Sequence, residues 1–384
     1  MNVLFISHSG RRSGGAQNVM FDLMKGLPKD TFNCQCVFPE HGAFMDEVKA
    51  SGIKSHKQGF MWWAGFEMDT LYKIPNCLLN IRVSVDPIVK IIKDEKIDVV
   101  VSNTVAMCEG ALAARLAGVP HIWYVHEILS RDPKMKHMIR LDFLYRIMLQ
   151  MSEAVVVVSN AVRKEIEEYI GGTSSKIFVI YNGVKQARPD FSRARQPNIL
   201  SVGGICRRKG QMILLQAARI VCDEIPDAHF YIAGKFWERE YRQQLLDTRV
   251  ELKLEKNWSF LKWVVDMDSF YRTGALLAST STCEAFGLGV LEAMNCGLPV
   301  VSTDSGGPSE IVEDKNTGFL VPIDDIPSVA SSIIYLLKHP QEADDMGIKG
   351  YIRASTLFRQ RSLVNNFTAV LQSIGGGGKN YGLT

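Results

Sequence analysis

Short apolar runs alternate with helix-like segments along most of this chain, and this alternation constrains the fold more than any other feature. The first run, residues 3–7, is followed by glycines and by a helical pattern over residues 16–25. Later runs with the length and composition of buried strands cover residues 99–102, 121–125, 154–159 and 177–181. Strands separated by helices predict an α/β fold, a parallel sheet with helices packed on its faces.

The same order begins again in the second half of the chain. Residues 185–197 are basic, polar and rich in turn formers, which predicts a linker. A new strand over residues 198–203 then leads to a helix over residues 212–221 and a strand over residues 229–234. Because each half opens with a strand and a glycine turn, we predict two Rossmann-like halves with a cleft between them.

Length and composition are compatible with two domains. A chain of 384 residues can form two hydrophobic cores, and 46% hydrophobic with 22% charged residues is typical of globular proteins. The predicted domains are residues 1–187 and residues 188–358. The tail, residues 375–384, begins with four glycines and is expected to be mobile.

Charge, hydropathy and cysteine content exclude several classes of protein. A net charge of +3 does not indicate a nucleic-acid partner. No apolar run approaches the about 18 residues that a membrane span needs, and the apolar start of the chain is too short for a signal peptide. The eight cysteines lack zinc or disulfide spacing and fit reduced thiols. We therefore predict a cytoplasmic protein.

Two carboxylates and several glycines lie together in the second half. Glu284 follows a predicted strand, and Glu292 lies in the helix-like stretch that comes next. The next predicted strand covers residues 299–303, and the pair Gly306-Gly307 after it opens another short helix. In an open parallel sheet these two loops lie side by side at the carboxyl ends of the strands, where ligands bind. Helix amides there can bind an anion, and carboxylates can accept hydrogen bonds from sugar hydroxyls.

The spacing of Glu284 and Glu292 resembles the E-x7-E signature of family-4 glycosyltransferases, which are retaining enzymes with the GT-B fold. The resemblance covers nearly the whole chain. Its other motifs are the segment 292–301, Gly14-Gly15-Ala16, Asn182-Gly183-Val184, Lys209-Gly210 and Gly318-Phe319-Leu320-Val321. It implies the transfer of a hexose-type sugar from a UDP- or GDP-sugar to a hydroxyl of a glycan or lipid-linked acceptor, without a metal or a cofactor. It also implies that a helix over residues 359–374 crosses back to the first domain.

The resemblance gives each carboxylate a role. Glu284 is expected to hold hydroxyls of the donor hexose, and Glu292 is expected to hold the ribose hydroxyls. The amides of Phe286, Gly287 and Leu288 are expected to meet the phosphate that bears the sugar. The structural alternatives are a helix start favoured by the dipole for Glu284 and a solvated helix position for Glu292.

The resemblance also places a histidine and the base-binding backbone. His126 stands where the family has a histidine that faces the sugar near the reacting carbon, although a lone histidine is often structural. The backbone near Trp263 and Val264 is expected to receive the base. No carboxylate stands out as a nucleophile, so the departing phosphate is expected to take the acceptor proton on the same face, as proposed for the family.

Two glycine-rich turns are candidates for phosphate binding. Gly14 and Gly15 precede a helix in a turn that fits neither a P-loop nor G-x-G-x-x-G. Adjacent glycines still allow the backbone to approach a phosphate or an acceptor closely, although a plain strand-to-helix turn is the alternative. Lys209 follows the first turn of the second half, where its ammonium group can neutralise the leaving diphosphate.

The loop that carries Lys209 departs from the family pattern. Gly204 stands where the family has an arginine. We predict that Arg207 or Arg208 reaches the phosphates instead, and that Gly204 leaves room for it beside the strand end. The alternatives are that the site uses fewer charges and that both arginines belong to a solvated basic loop.

Metal and acceptor sites are the remaining candidates. Asp266 and Asp268 precede a helix and are predicted to cap it rather than to bind a metal. The aromatic cluster around Trp62 and Trp63 is predicted to lie in a loop and to bind the acceptor. Basic residues alternate with apolar ones over residues 134–141, which predicts an amphipathic helix that either packs on the domain or contacts the inner face of the cell membrane.

Two other functions remain compatible with the same residues. One is a nucleotide-sugar epimerase or phosphorylase with the same fold. The other is a sugar-nucleotide-binding protein without turnover, which the glycine at position 204 makes conceivable. Slow release of nucleoside diphosphate without acceptor would favour the transferase over both alternatives.

Overall fold

The computed structural model contains two compact α/β units. It describes residues 1–12, 14–60, 64–66, 74–132, 136–137, 139–191, 196–261 and 264–375. The first unit consists of Met1–Gly183 together with the chain from Gln360 onward, and the second unit is Val184–Arg359. Each unit has its own parallel sheet.

The first unit is built on a seven-stranded sheet. The described strands are β1 (Asn2–Ile6), β2 (Asn33–Phe38), β3 (Lys54–Lys57), β4 (Ala64–Phe66), β5 (Val99–Ser102), β6 (His121–Val125), β7 (Lys136–His137), β8 (Ala154–Val157) and β9 (Ile177–Val179). The described helices are α1 (Gly15–Gly26), α2 (Ala43–Ala50), α3 (Ile74–Asp94), α4 (Glu109–Ala117), α5 (Leu141–Gln150) and α6 (Asn160–Ile170). The order of the seven-stranded sheet is β3-β2-β1-β5-β6-β8-β9, and all neighbours in it are parallel. Strands β4 and β7 form a separate two-stranded sheet.

The central strands of this sheet are buried on both faces. Residues 99–102 and 121–125 form strands at the predicted positions, and both are fully buried. A continuous apolar run fits this environment because helices cover a parallel sheet on both sides. The more polar strands β2 and β3, at one edge, lack such a run and were not predicted.

Two segments of the first unit differ from the prediction. Residues 64–66, predicted as loop, form β4, and residues 136–137, predicted as part of a helix, form β7, which pairs with β4 in antiparallel orientation. Pairing with a distant strand overrides the local helical pattern, and the helix α5 begins only at Leu141. Trp62, Trp63 and Lys134 lie outside the described residues.

The second unit is built on a six-stranded parallel sheet. Its strands are β10 (Asn198–Val202), β11 (His229–Ala233), β12 (Trp258–Leu261), β13 (Leu276–Ser279), β14 (Val300–Thr303) and β15 (Gly318–Val321). Its helices are α7 (Gln211–Glu224), α8 (Arg239–Glu251), α9 (Met267–Arg272), α10 (Leu288–Asn295), α11 (Pro308–Ile311), α12 (Ile326–Lys338) and α13 (Pro340–Leu357). The sheet order is β12-β11-β10-β13-β14-β15, so β10 lies at its centre.

The last helix, α14 (Gln360–Gly375), belongs to the first unit, as predicted. It packs closely on α1, because a Cβ atom at Gly26 would lie 2.5 Å from Cγ2 of Val364. Phe367 of α14 also packs against Tyr124 of β6, with ring centroids 5.2 Å apart. Among the described residues, no helix combines the length and the hydropathy needed to cross a bilayer.

Candidate active site

The loops that follow β10 and β13 are joined by hydrogen bonds. The Thr282 amide donates to the Arg208 carbonyl at 2.8 Å, and the Thr280 hydroxyl donates to the Gly210 carbonyl at 2.8 Å. Gly210 has a positive φ of 65°, and a Cβ atom there would lie 1.9 Å from the Thr280 carbonyl oxygen. Glycine is therefore required at this position, and the two loops are fixed to each other.

The hydrogen bonds between these two loops bring Lys209 and Glu284 into an ion pair. The Lys209 ammonium donates to Oε1 of Glu284, which also accepts a hydrogen bond from the Ser281 hydroxyl at 2.9 Å. Nη1 of Arg208 lies 3.8 Å from the other carboxylate oxygen. Burial alone would raise the pKa of Glu284, but the two cations and the hydrogen bonds outweigh it and hold the pKa below its ordinary value. Glu284 is therefore an ionised, buried carboxylate.

The two neighbouring arginines have different surroundings. Nη1 of Arg208 donates to the Cys283 carbonyl at 2.8 Å, which keeps the guanidinium group beside the Lys209–Glu284 pair. Nη2 of Arg207 donates to Gln244 of α8 at 2.8 Å. Of the two, only Arg208 lies where it can share the charge of the pair.

The space beside Gly204 is filled by an indole ring. A Cβ atom at Gly204 would lie 2.4 Å from Cε2 of Trp237, so the prediction that this glycine leaves room is wrong. The segment after β11 runs alongside the segment after β10: Ile205 donates to the Lys235 carbonyl at 2.8 Å and accepts from the Trp237 amide at 3.1 Å. No local sequence pattern indicates this contact, because it joins two loops.

Gln211, which the sequence analysis did not single out, supports the same turn. Its side chain is buried at the start of α7. It donates to the Gly204 carbonyl at 3.1 Å and accepts from the Cys206 amide at 3.3 Å. The glutamine thereby satisfies two backbone groups of the turn that leads to Lys209.

The loops after β13 and β14 lie side by side, as predicted. The Glu284 amide donates to the Ser305 carbonyl at 3.0 Å, and the Gly307 amide donates to the Glu284 carbonyl at 2.8 Å. A Cβ atom at Gly307 would lie 2.3 Å from Cα of Phe286, so this approach needs glycine. Gly287 has a φ of 104° and immediately precedes α10, whose first residue is Leu288. Amides at this turn can meet an anion.

Glu292 lies on α10 and is oriented by a tyrosine. The Tyr271 hydroxyl of α9 donates to Oε2 of Glu292 at 2.8 Å. Burial raises the pKa of the Glu292 carboxyl group, the tyrosine partly offsets this, and the charge of Asp268 raises it further. Glu292 is therefore a fixed carboxyl group rather than a solvated helix residue.

In the first unit, His126 follows β6 and is held by a buried asparagine. Nε2 of His126 lies 2.9 Å from Oδ1 of Asn103, whose Nδ2 donates to the Ala16 carbonyl at 3.1 Å. Burial, together with the neighbouring His8, lowers the pKa of His126 to about 3. The imidazole is therefore neutral near pH 7 and its Nε2 carries the proton that Asn103 accepts.

Two carboxylates support the loop that carries His126. Glu127 accepts hydrogen bonds from the Thr104 hydroxyl and from the His126 amide. Glu165 of α6 is buried and accepts from the Leu129 amide at 2.8 Å. Neither carboxylate was a candidate from the sequence, because Thr104 and Leu129 lie 23 and 36 residues away from Glu127 and Glu165 along the chain.

The turn before α1 leaves an open backbone surface. Gly14 precedes α1 and Gly15 is its first residue. Apart from its chain neighbours, no atom of the described residues lies within 4 Å of a Cβ atom placed at Gly14, so packing against these residues does not demand glycine there. The Gln17 side chain stabilises the turn by donating hydrogen bonds to the carbonyls of Ser9 at 2.8 Å and Arg11 at 2.9 Å. An open glycine on a supported turn is compatible with the approach of a ligand.

Asp266 caps a helix, as predicted. Its carboxylate accepts from the amide and the hydroxyl of Ser269 at 3.0 and 2.6 Å at the start of α9. In the part of the chain that the structure describes, no group of histidine, cysteine and acidic residues is arranged to hold a metal ion. Val264 lies between β12 and α9, whereas Trp263 is outside the described residues.

Family models match both halves of the chain. The model described as Glycosyltransferase Family 4 matches residues 13–188. The model described as Glycosyl transferases group 1 matches residues 185–353, which include the Lys209–Glu284 pair. Together the two models span both α/β units.

Relatives and solved structures agree with these models. The chain is 25% identical over 341 residues to the UDP-Gal:alpha-D-GlcNAc-diphosphoundecaprenol alpha-1,3-galactosyltransferase of Escherichia coli, covering 83% of this chain and 84% of that protein. It is 24% identical over 294 residues to the human alpha-1,3/1,6-mannosyltransferase ALG2, covering 69% and 70%. The structure of Anabaena HepE in complex with UDP-glucose matches with a TM-score of 0.81 at 24% identity, over 97% of this chain and 100% of that one. The chain therefore belongs to the family-4 glycosyltransferases and has their GT-B fold.

Proposed function

We propose that this glycosyltransferase moves a hexose-type sugar from a UDP- or GDP-sugar to a hydroxyl group of a glycan or lipid-linked acceptor, with retained anomeric configuration. The observation that carries the proposal is the Lys209–Glu284 ion pair at the joined loops after β10 and β13. It offers a cation for a diphosphate and an ionised carboxylate for sugar hydroxyls within one site.

The charges of this site suit a leaving diphosphate. As the bond between the anomeric carbon and the phosphate oxygen breaks, negative charge grows on the diphosphate. Lys209 and Arg208 supply two positive charges, of which Glu284 neutralises one. Because the loops hold these groups in place before the reaction, they need little reorganisation in the transition state.

Retention follows if the acceptor attacks from the face that the phosphate leaves. The acceptor oxygen forms a bond to the anomeric carbon while the bond to the phosphate oxygen breaks. The acceptor proton passes to that phosphate oxygen, so no protein carboxylate has to act as nucleophile or base. The ion-paired state of Glu284 supports this route, because its Oε1 is already an acceptor for Lys209 and Ser281.

The named substrates of relatives support this choice of donor and acceptor. The Escherichia coli relative is named for a UDP-sugar donor and a lipid-linked diphosphate acceptor, and HepE is crystallised with UDP-glucose. We infer a lipid-linked acceptor and action at the inner face of the cell membrane. The Glu284 and Glu292 roles that the family implies, at hexose and ribose hydroxyls, belong to the same proposal.

The experiment is a donor screen followed by an acceptor assay. UDP-glucose, UDP-galactose, UDP-N-acetylglucosamine and GDP-mannose are tested by thermal shift, and the best donor is then incubated with a membrane-lipid extract in excess chelator. We expect one donor to raise the melting temperature, to release nucleoside diphosphate slowly without acceptor, and to glycosylate a lipid. Conversion of the donor into another nucleotide sugar would indicate an epimerase, and binding without turnover would contradict catalysis.

A further inference from the structure

An exposed indole lies at the carboxyl edge of the second sheet. Trp237 follows β11 and is 54% exposed, although a tryptophan side chain is usually much more buried. Ligands of open α/β sheets bind at this edge. The open face of the ring is therefore placed where it can contact a ligand rather than the core.

The indole is fixed before any ligand arrives. Three of its ring atoms would lie 2.4 to 2.8 Å from a Cβ atom at Gly204, so the ring rests directly on that backbone. The preceding residue, Phe236, packs against Phe260 with ring centroids 5.1 Å apart, and the Arg242 guanidinium group lies 5.2 Å from the Phe236 ring. A ring held in this way loses little freedom when it binds a partner.

The sheet order determines what lies on each side of the indole. Glu284 follows β13, Lys209 follows β10, Trp237 follows β11 and Val264 follows β12, and these four strands are consecutive neighbours in the sheet. If the hexose lies at Glu284 and the diphosphate at Lys209, as in the proposed function, a nucleoside that continues along this edge lies toward β11 and β12.

The Lys209 ammonium group and the Trp237 indole lie against consecutive residues of the turn after β10. Nζ of Lys209 would lie 3.5 Å from a Cβ atom at Gly203, and the Trp237 ring covers the next residue, Gly204. The charged group and the aromatic ring therefore flank two consecutive residues.

We propose that Trp237 is the stacking surface for the nucleobase of the donor. The proposal rests on the proposed function, since it requires a nucleotide donor. Every nucleobase has a flat π-face, and stacking on an aromatic ring tolerates different bases. Trp237 thus contributes affinity for the nucleoside of UDP or GDP, and none for the diphosphate or the sugar.

Two substitutions and three probes test this role. Trp237→Ala and Trp237→Phe are titrated with UDP, GDP and inorganic diphosphate by calorimetry, and thermal unfolding confirms that each variant folds. We expect Trp237→Ala to weaken binding of the preferred nucleotide by about tenfold or more, because base stacking has that magnitude. Trp237→Phe retains most of the affinity, and diphosphate binds equally to all three proteins.

The outcomes separate this inference from the proposed function. If the wild type binds UDP or GDP and Trp237→Ala binds it equally well, the indole is only a cover for Gly204 and the inference is overturned. Equal weakening of nucleotide and diphosphate also overturns it, because the loss would then come from a displaced Lys209 loop. A wild type that binds neither nucleotide contradicts the proposed function itself, and the inference with it.

Discussion

The polar groups of the second unit are organised around charge, whereas those after β6 in the first unit are organised around a neutral histidine. Lys209, Arg208 and Glu284 form a partly buried group of opposite charges. His126 instead donates a hydrogen bond from Nε2 to Oδ1 of Asn103, and burial lowers its pKa to about 3. The difference teaches that the Lys209–Glu284 site is suited to an ionic substrate, and that the His126 side chain is suited to orienting neutral groups.

The largest expected effect comes from removing the central cation. Lys209→Ala should lower kcat by about 10²–10³, because a preorganised positive group at the site of developing charge is lost. Turnover of the identified donor measures this, and Lys349→Ala, an exposed lysine on α13, is the matched control. Turnover of Lys209→Ala within about threefold of the wild type would show that the ammonium group does not meet the leaving diphosphate.

The neighbouring arginines Arg207 and Arg208 are expected to contribute unequally to turnover. Arg208→Ala should lower kcat by about 10², whereas Arg207→Ala, whose guanidinium group contacts Gln244 of α8, should stay close to the wild type. Gly204→Arg should not rescue Arg208→Ala and should lower the melting temperature instead, because Trp237 fills that space. Equal losses in both alanine variants would contradict the assignment of Arg208.

Substitution of Glu292 and of Glu284 is expected to weaken the binding of different ligands. Glu292→Ala is expected to weaken both free UDP and the UDP-sugar by about tenfold, since hydrogen bonds to charged groups have this magnitude. Glu284→Ala should spare free UDP and weaken only the sugar-bearing donor. Calorimetric titration of each variant with UDP and with the UDP-sugar measures the two affinities. Equal loss of nucleotide affinity in the two variants would show that the carboxylates do not divide the donor in this way.

The smallest effect concerns pH and the neutral histidine. The folded-state pKa of His126, about 3, lies below the ordinary value of 6.5, so the unfolded chain takes up the proton first as pH falls. Stability should therefore decline from about pH 6.5 toward pH 3, and His126→Gln should reduce this decline. Urea unfolding at pH 7 and pH 5 measures it, with the exposed His41→Gln as control. An unchanged decline in His126→Gln would contradict a buried neutral imidazole.

Much of this charged site was predictable from sequence because its parts are local. A short apolar run predicts β14 of the second unit close to where it occurs, as similar runs predict β5 and β6 of the first unit. Glycines and carboxylates after predicted strands place the loops of Glu284 and Gly307 side by side. Such patterns depend on the chain immediately before and after each residue, so one sequence is sufficient to predict them.

The contacts that the sequence did not reveal join distant segments. The Trp237 ring on Gly204 links the loops of two strands, and Arg207 turns toward α8 because Gln244 lies there. Strands β4 and β7, which are distant in sequence, pair with each other. Local periodicity contains no information on these pairings, and tertiary packing decides them.

The central claim is that the charged pair of the second unit binds the diphosphate of the donor. Calorimetric titration of UDP and of uridine into the wild type and into Lys209→Ala tests it most directly, because uridine lacks the phosphates. We predict that UDP binds the variant at least about tenfold more weakly than the wild type, with no change for uridine. Equal UDP affinity in the two proteins would contradict the account.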